Sequence, residues 1–128
     1  MARIYLGQAY TLNRMYREAI DEFERALVDG STDVQGYLGL TFALSGDRRK
    51  AEAMLADLMS DSAGRYVSPY HIATISLALG DLDGAFRWLH KTVDEHGRHA
   101  AALRLDPVLV PIRDDPRFQL LVQRVGAR

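Results

Sequence analysis

Apolar residues recur at helical spacing along most of the chain. Ile4, Leu6, Ala9 and Tyr10 lead to a break near Asn13-Arg14. Tyr16, Ala19, Ile20, Phe23, Ala26 and Leu27 then return every three or four residues. Ala51, Met54, Leu55 and Leu58 form a further stripe, with Arg48, Arg49, Glu52 and Asp57 on the other faces. The spacing predicts helices near residues 2–13, 15–29, 33–45, 47–60, 69–79 and 81–96. Gly46 and Gly80 suit the left-handed position that ends a helix, and Asp47 and Asp81 can each cap the next. Thr32-x-x-Gln35 has the form of a capping box, and Ser68-Pro69 sets a cap residue before a first-turn proline. No stretch alternates as a strand does. The expected fold class is all-α.

The pattern repeats. Leu6-Gly7-x-x-Tyr10 matches Leu38-Gly39-x-x-Phe42 at an offset of 32 residues. Ala19, Phe23 and Ala26 match Ala51, Leu55 and Leu58 at the same offset. A third copy follows at an offset of 34, in Ile72-Ala73, Gly80-Asp81 and Ala85-x-x-x-Leu89-x-x-Thr92. Each copy reads as two helices. Small residues at Gly7, Gly39, Ala19, Ala51 and Ala85 let them approach closely, while aromatics fill the space between hairpins.

These residues and their spacing resemble the tetratricopeptide repeat over about residues 2–96. Copy one carries Leu6, Gly7, Tyr10, Ala19, Phe23 and Ala26 at the signature positions. Copy two has Leu55 and Leu58 where Phe and Ala are usual. Copy three has Ala73, Ser76 and Thr92 in place of the glycine, the aromatic and the last alanine. The family's early tryptophan and closing proline are absent. The resemblance implies a right-handed superhelix of three antiparallel helix hairpins, at about 1–31, 32–65 and 66–96. Residues 97–128 complete the same domain.

Three of the four prolines lie in that tail. Gly97 to Asp114 reads as irregular, with one helical turn around Ala100 to Leu103. Asp115-Pro116 opens a short helix through Phe118, Leu120, Leu121 and Val125, stopped by Gly126. Such a helix caps the apolar face that a last hairpin leaves open, around Phe86, Trp88, Leu89 and Val93. The phrase from Pro111 to Phe118 is similar to a closing phrase of bacterial tetratricopeptide proteins. In that group the repeats often end multidomain signalling proteins such as winged-helix regulators, nucleotide cyclases and protein kinases. No Ser, Asp or Thr precedes the first helix to cap it. The chain is therefore expected to begin inside a longer array or directly after another domain.

Composition removes several classes of function. The 128 residues, 48% hydrophobic and 26% charged, suit one globular domain. Sixteen Lys and Arg against seventeen Asp and Glu leave a net charge of -1, which speaks against nucleic acid or a membrane surface as partner. The absence of cysteine excludes disulfides, thiolate nucleophiles and zinc-thiolate sites. Ile72 to Leu79 is too short to cross a bilayer, and residues 1–5 lack a secretion-type apolar core. The expectation is a cytoplasmic protein. No glycine-rich phosphate loop, nucleophile elbow or paired-histidine zinc motif occurs. His96 and His99 flank a glycine and read as solvated residues at a helix end. His71 reads as a groove or surface residue, and Phe86 and Trp88 as core and cap contacts. Asp81 and Asp83 read as a helix cap and a first-turn acid. No enzyme activity, cofactor or metal is expected.

The family resemblance implies a concave face lined by the first helix of each hairpin. Its register gives Ile4, Gln8, Thr11 and Leu12, then Asp33, Gly36, Leu40, Ala43 and Leu44, then Val67, Tyr70, Thr74, Leu77 and Ala78. The groove candidates are Ile4, Gln8, Leu12, Leu40, Leu44, Tyr70, Thr74 and Leu77. Family members that clasp a peptide carboxylate carry Lys, Arg and Asn where Ile4, Gln8, Tyr37, Val67 and His71 stand here, so that clamp is not supported. An apolar groove suits an amphipathic helix or an extended apolar segment. With equal weight, the tail or upstream repeats fill it from within. The expected function is non-catalytic binding of a protein or peptide. The alternative is a homotypic assembly module that dimerises a larger bacterial signalling enzyme or transcription regulator.

Overall fold

Three turns of one construction fold the chain into hairpins. At the second, the Asp47 amide donates to Phe42 O (2.9 Å) and the Gly46 amide to Ala43 O (3.2 Å), with Gly46 at φ 91°. The third turn repeats this in Asp81 to Ser76 O and Gly80 to Leu77 O, with Gly80 at φ 89°. At the first, Met15 donates to Tyr10 O and Arg14 to Thr11 O, with Arg14 itself at φ 62°. This is the Schellman motif, which satisfies the carbonyls left over at a helix C-terminus. The Asp47 and Asp81 carboxylates accept from the Lys50 and Gly84 amides and so start the following helices. The first turn has no such side-chain cap.

The computed structural model describes residues 2–27, 31–60, 64–95 and 103–126. Within them run α1 (Ala2–Leu12), α2 (Tyr16–Ala26), α3 (Thr32–Leu44), α4 (Arg48–Ser60), α5 (Pro69–Ala78) and α6 (Leu82–Asp94). A 3-10 helix (Pro107–Ile112) and α7 (Pro116–Gly126) follow, and no strand occurs among the described residues. The fold is all-α, built of tandem antiparallel hairpins. The expected helices all form, with ends shifted by at most one residue where the expected end is described; the expected ends at residues 29 and 96 lie outside the described residues. Ser31, not Thr32, caps α3 by accepting from the Val34 amide. Thr32 instead donates to Tyr66 O at 2.8 Å, tying the second hairpin to the approach of the third. Ser68 caps α5 with Pro69 in the first turn, as its sequence implies.

Small residues set the helix spacing. Ala19, Ala51 and Ala85 have no exposed surface. A Cβ on Gly7 would stand 2.6 Å from a Phe23 ring carbon, and one on Gly39 would stand 2.7 Å from Ile75 Cδ1, both shorter than contact allows. Besides the paired contacts within hairpins, α2 packs on α3 and α3 on α5. Ala19, Phe23, Val34, Leu38, Phe42 and Ala51 form the core joining the first two hairpins. Leu40, Leu58 and Ile75 form a smaller one between the second and third.

The largest cluster joins the third hairpin to the tail. Tyr70, Ala73, Phe86, Leu89 and Val93 bury together with Leu103, Leu109, Ile112, Phe118 and Leu121. Asp115 caps α7 through the Arg117 amide at 2.8 Å. The Arg117 guanidinium lies 4.3 Å from the Phe86 ring centroid and pairs with Asp83 at 2.9 Å and with Asp115. At the other end of α7, Arg124 reaches Nδ1 of His90 at 2.6 Å and the Asp94 carboxylate. Leu120 departs from the expected stripe and is 57% exposed. At about 100° per residue it points away from Phe118, and Val122 packs in its stead. The 3-10 helix falls where the sequence reads as irregular. His96, His99 and the expected turn from Ala100 lie outside the described residues.

Candidate functional site

A groove of about 490 Å³, counting space open to solvent, lies between α1, α3, α5 and the segment from Asp106 to Val108. Of the eight groove candidates, Gln8, Leu12, Leu40, Tyr70 and Thr74 come together there. Three do not. Ile4 packs against the Ala19–Phe23 core, Leu77 turns to the cluster shared with the tail, and Leu44 is 40% exposed outside the groove. Thr11, also given by the repeat register, lines the groove with them, and Tyr37, Thr41, Phe23, His71, Asp106 and Val108 complete the lining.

The floor is apolar, and its hydroxyls are already engaged. The Thr11 and Thr41 hydroxyls lie 3.1 Å apart. Each also lies within hydrogen-bonding reach of a carbonyl of its own helix, Gly7 O at 3.0 Å and Tyr37 O at 2.8 Å. Thr74 donates to His71 O at 3.1 Å. Polar groups paired in this way leave dispersion and apolar burial to govern what the groove accepts.

His71 is a buried link between helices. Its Nε2 lies 2.8 Å from Asp33 Oδ1, and its ring meets Tyr37 edge-on at 5.0 Å between centroids. Gly36 on α3 makes room for it, since a Cβ there would overlap the imidazole. Of its two expected places, groove or surface, it takes the groove, with 1% exposure.

The tail supplies one wall. Tyr70 donates its hydroxyl to the Asp106 carboxylate, whose other oxygen accepts from the Val108 amide at 2.9 Å. Arg113 donates to Asp106 O at 3.0 Å and so helps to hold this wall, a strap running from Asp106 to Val108. Burial, and then the Asp106 charge, push the Tyr70 phenol above the usual tyrosine range, so it remains a neutral donor at any physiological pH. Val108 packs against the Leu40, Leu58 and Ile75 core. Phe23, Thr41, Asp106 and Val108 are lining residues that sequence reasoning missed. Asp106-Pro107 carries the same cap-and-proline signal as Asp115-Pro116, which marks a helix start but not where it docks.

Among the described residues, no three His, Asp or Glu side chains converge to hold a metal ion. No described helix is long and apolar enough to cross a membrane. No protein-family model, curated protein or solved structure matches the chain.

Proposed function

We propose that the protein is a non-catalytic binding module of the tetratricopeptide type, working in the cytoplasm, with its hairpins stacked as a right-handed superhelix. In this reading the α1–α3–α5 groove takes a short apolar segment of another protein. The observation that carries it is the open end of the groove. Leu12 is 56% exposed there, beside Gln8 and against a wall of buried Leu40, Tyr70 and Thr74. An exposed leucine leading into an apolar recess is a surface that binding would cover. Because the strap walls the α5 side, the groove favours a short segment over a long helix laid across all three hairpins.

Selection of a displayed random-peptide library against the immobilised protein tests this. Binders centred on apolar residues are expected, and Leu12→Glu should weaken them at least about ten-fold, a change of about 1.4 kcal/mol. Leu12 is exposed enough for the variant to keep its helicity by circular dichroism. A selection that yields no binders, or binders indifferent to Leu12→Glu, contradicts the reading.

A further inference from the structure

The carboxylates that pin the tail to α6 have cations beside them. Asp83 and Asp115 lie 2.9 and 3.0 Å from the Arg117 guanidinium, and Asp94 meets Arg124. The Asp106 carboxylate does not. One of its oxygens accepts from the Tyr70 hydroxyl and the other from the Val108 amide, and among the described residues no Lys or Arg pairs with it. Arg113 donates instead to backbone, to Arg104 O at 3.3 Å and to Asp106 O at 3.0 Å.

The fold has no need of this charge. A neutral Asn or Ser starts a helix as well as Asp does, and the Tyr70 hydroxyl requires an acceptor, not an anion. A half-buried carboxylate without a counter-charge costs free energy that a neutral cap would avoid. Asp106 faces the groove, and the other lining residues include no Lys, no Arg and no second acid. His71 is bonded to Asp33 at 2.8 Å. The groove therefore has two unlike sides. Gln8 and the exposed Leu12 stand on the α1 side, while Tyr70 and Asp106 stand on the side of α5 and the strap. Each carboxylate oxygen has taken one hydrogen bond and keeps room for another.

We propose that the occupant of the groove is an apolar segment of another protein carrying one Lys or Arg, and that Asp106 selects it by pairing with that cation. This rests on the groove reading above and narrows it from any apolar segment to a basic one. A cation entering beside the strap supplies the counter-charge that the fold leaves out. In a recess partly screened from water the pair is stronger than on an open surface. A segment with an acid at the same place is repelled, which discriminates between partners of equal hydrophobicity.

Three displayed libraries of short peptides test this, each with apolar positions randomised around one fixed Lys, Gln or Glu. Selection against the immobilised full chain should enrich the Lys library most and the Glu library least. In fluorescence polarisation, replacing Lys by Gln in an enriched peptide should weaken binding at least about five-fold, and added salt should shrink the difference. To Asp106→Asn the Lys and Gln forms should bind alike. Asn preserves the cap, and circular dichroism checks that the variant stays helical. The Lys-to-Gln comparison on the wild-type protein needs no variant and stands by itself. Enriched peptides that bind equally with Lys or Gln, yet are weakened by Leu12→Glu, overturn this proposal and leave the groove reading in place. A Lys preference undiminished in Asp106→Asn also overturns it, by placing the selecting acid elsewhere. Libraries that yield no binders overturn the groove reading and this proposal with it.

Discussion

Arg14 holds a left-handed backbone at φ 62° in the place that Gly46 and Gly80 hold in the other two hairpins. A side chain in that region crowds its own carbonyl, at a cost of roughly 1–2 kcal/mol that glycine avoids. Met15, the next residue, caps α2 with no side-chain bond, where Asp47 and Asp81 each provide one. Arg14→Gly is therefore expected to raise stability by about 1 kcal/mol. The measurement is the urea midpoint with its slope unchanged. A lowered midpoint would show that the Arg14 side chain supplies something the turn needs. The Gly-Asp steps were legible because turn chemistry is local. Arg14 carries no such signal, and the break there shows only in the apolar spacing on either side.

At the scale of elements, the tail holds the third hairpin closed. Leu109, Ile112, Phe118 and Leu121 lie between 0% and 4% exposed, and burial of such side chains is worth about 1.5–3 kcal/mol each before conformational entropy is subtracted. Truncation after Asp106 should uncover Phe86, Leu89 and Val93 and make the protein self-associate. Trp88, half-buried against that cluster, is the only tryptophan and reports the event through its emission. A truncated chain that stays monomeric with an unshifted emission maximum would show that the tail is dispensable. The α6–α7 contact is also sensitive to acid. Desolvation, and then the Arg124 charge, depress the His90 pKa below its ordinary 6.5, against a smaller opposing effect from Asp94. The unfolded chain then binds more protons than the folded one as pH falls below 6.5, so the contribution is complete above that pH and is lost below it. Thermal melts should show a fall in stability toward pH 5 that is reduced in His90→Gln. An equal fall in both proteins would place the acid sensitivity elsewhere.

Across the whole molecule, local patterns were readable and long-range docking was not. Helix positions, the α5 cap and the α7 cap follow from residues within a turn of one another, which is why spacing locates them. The strap does not. Two prolines in Pro107–Ile112 break the helical period, and Asp106 meets its partner Tyr70 across 36 residues of sequence. Leu120 was read into an apolar stripe whose facing positions are 118, 121, 122 and 125 at 3.6 residues per turn. Leu77 belongs to the groove by register but turns to Leu109 and its neighbours once the tail is in place. The groove is thus a product of both the repeat and the tail, and only the repeat's share shows a period.

The claim most exposed to test is that this groove is where a partner segment binds. Backbone amide shifts recorded while a selected peptide is titrated into the labelled protein report on every helix at once. The expected result is perturbation centred on Gln8, Leu12, Leu40 and Thr74 and extending to Tyr70 and Asp106 at the strap, with α6 and α7 little changed. Saturable binding with shifts gathered on α4, α6 or α7 and none at Leu12 and Leu40 would contradict it.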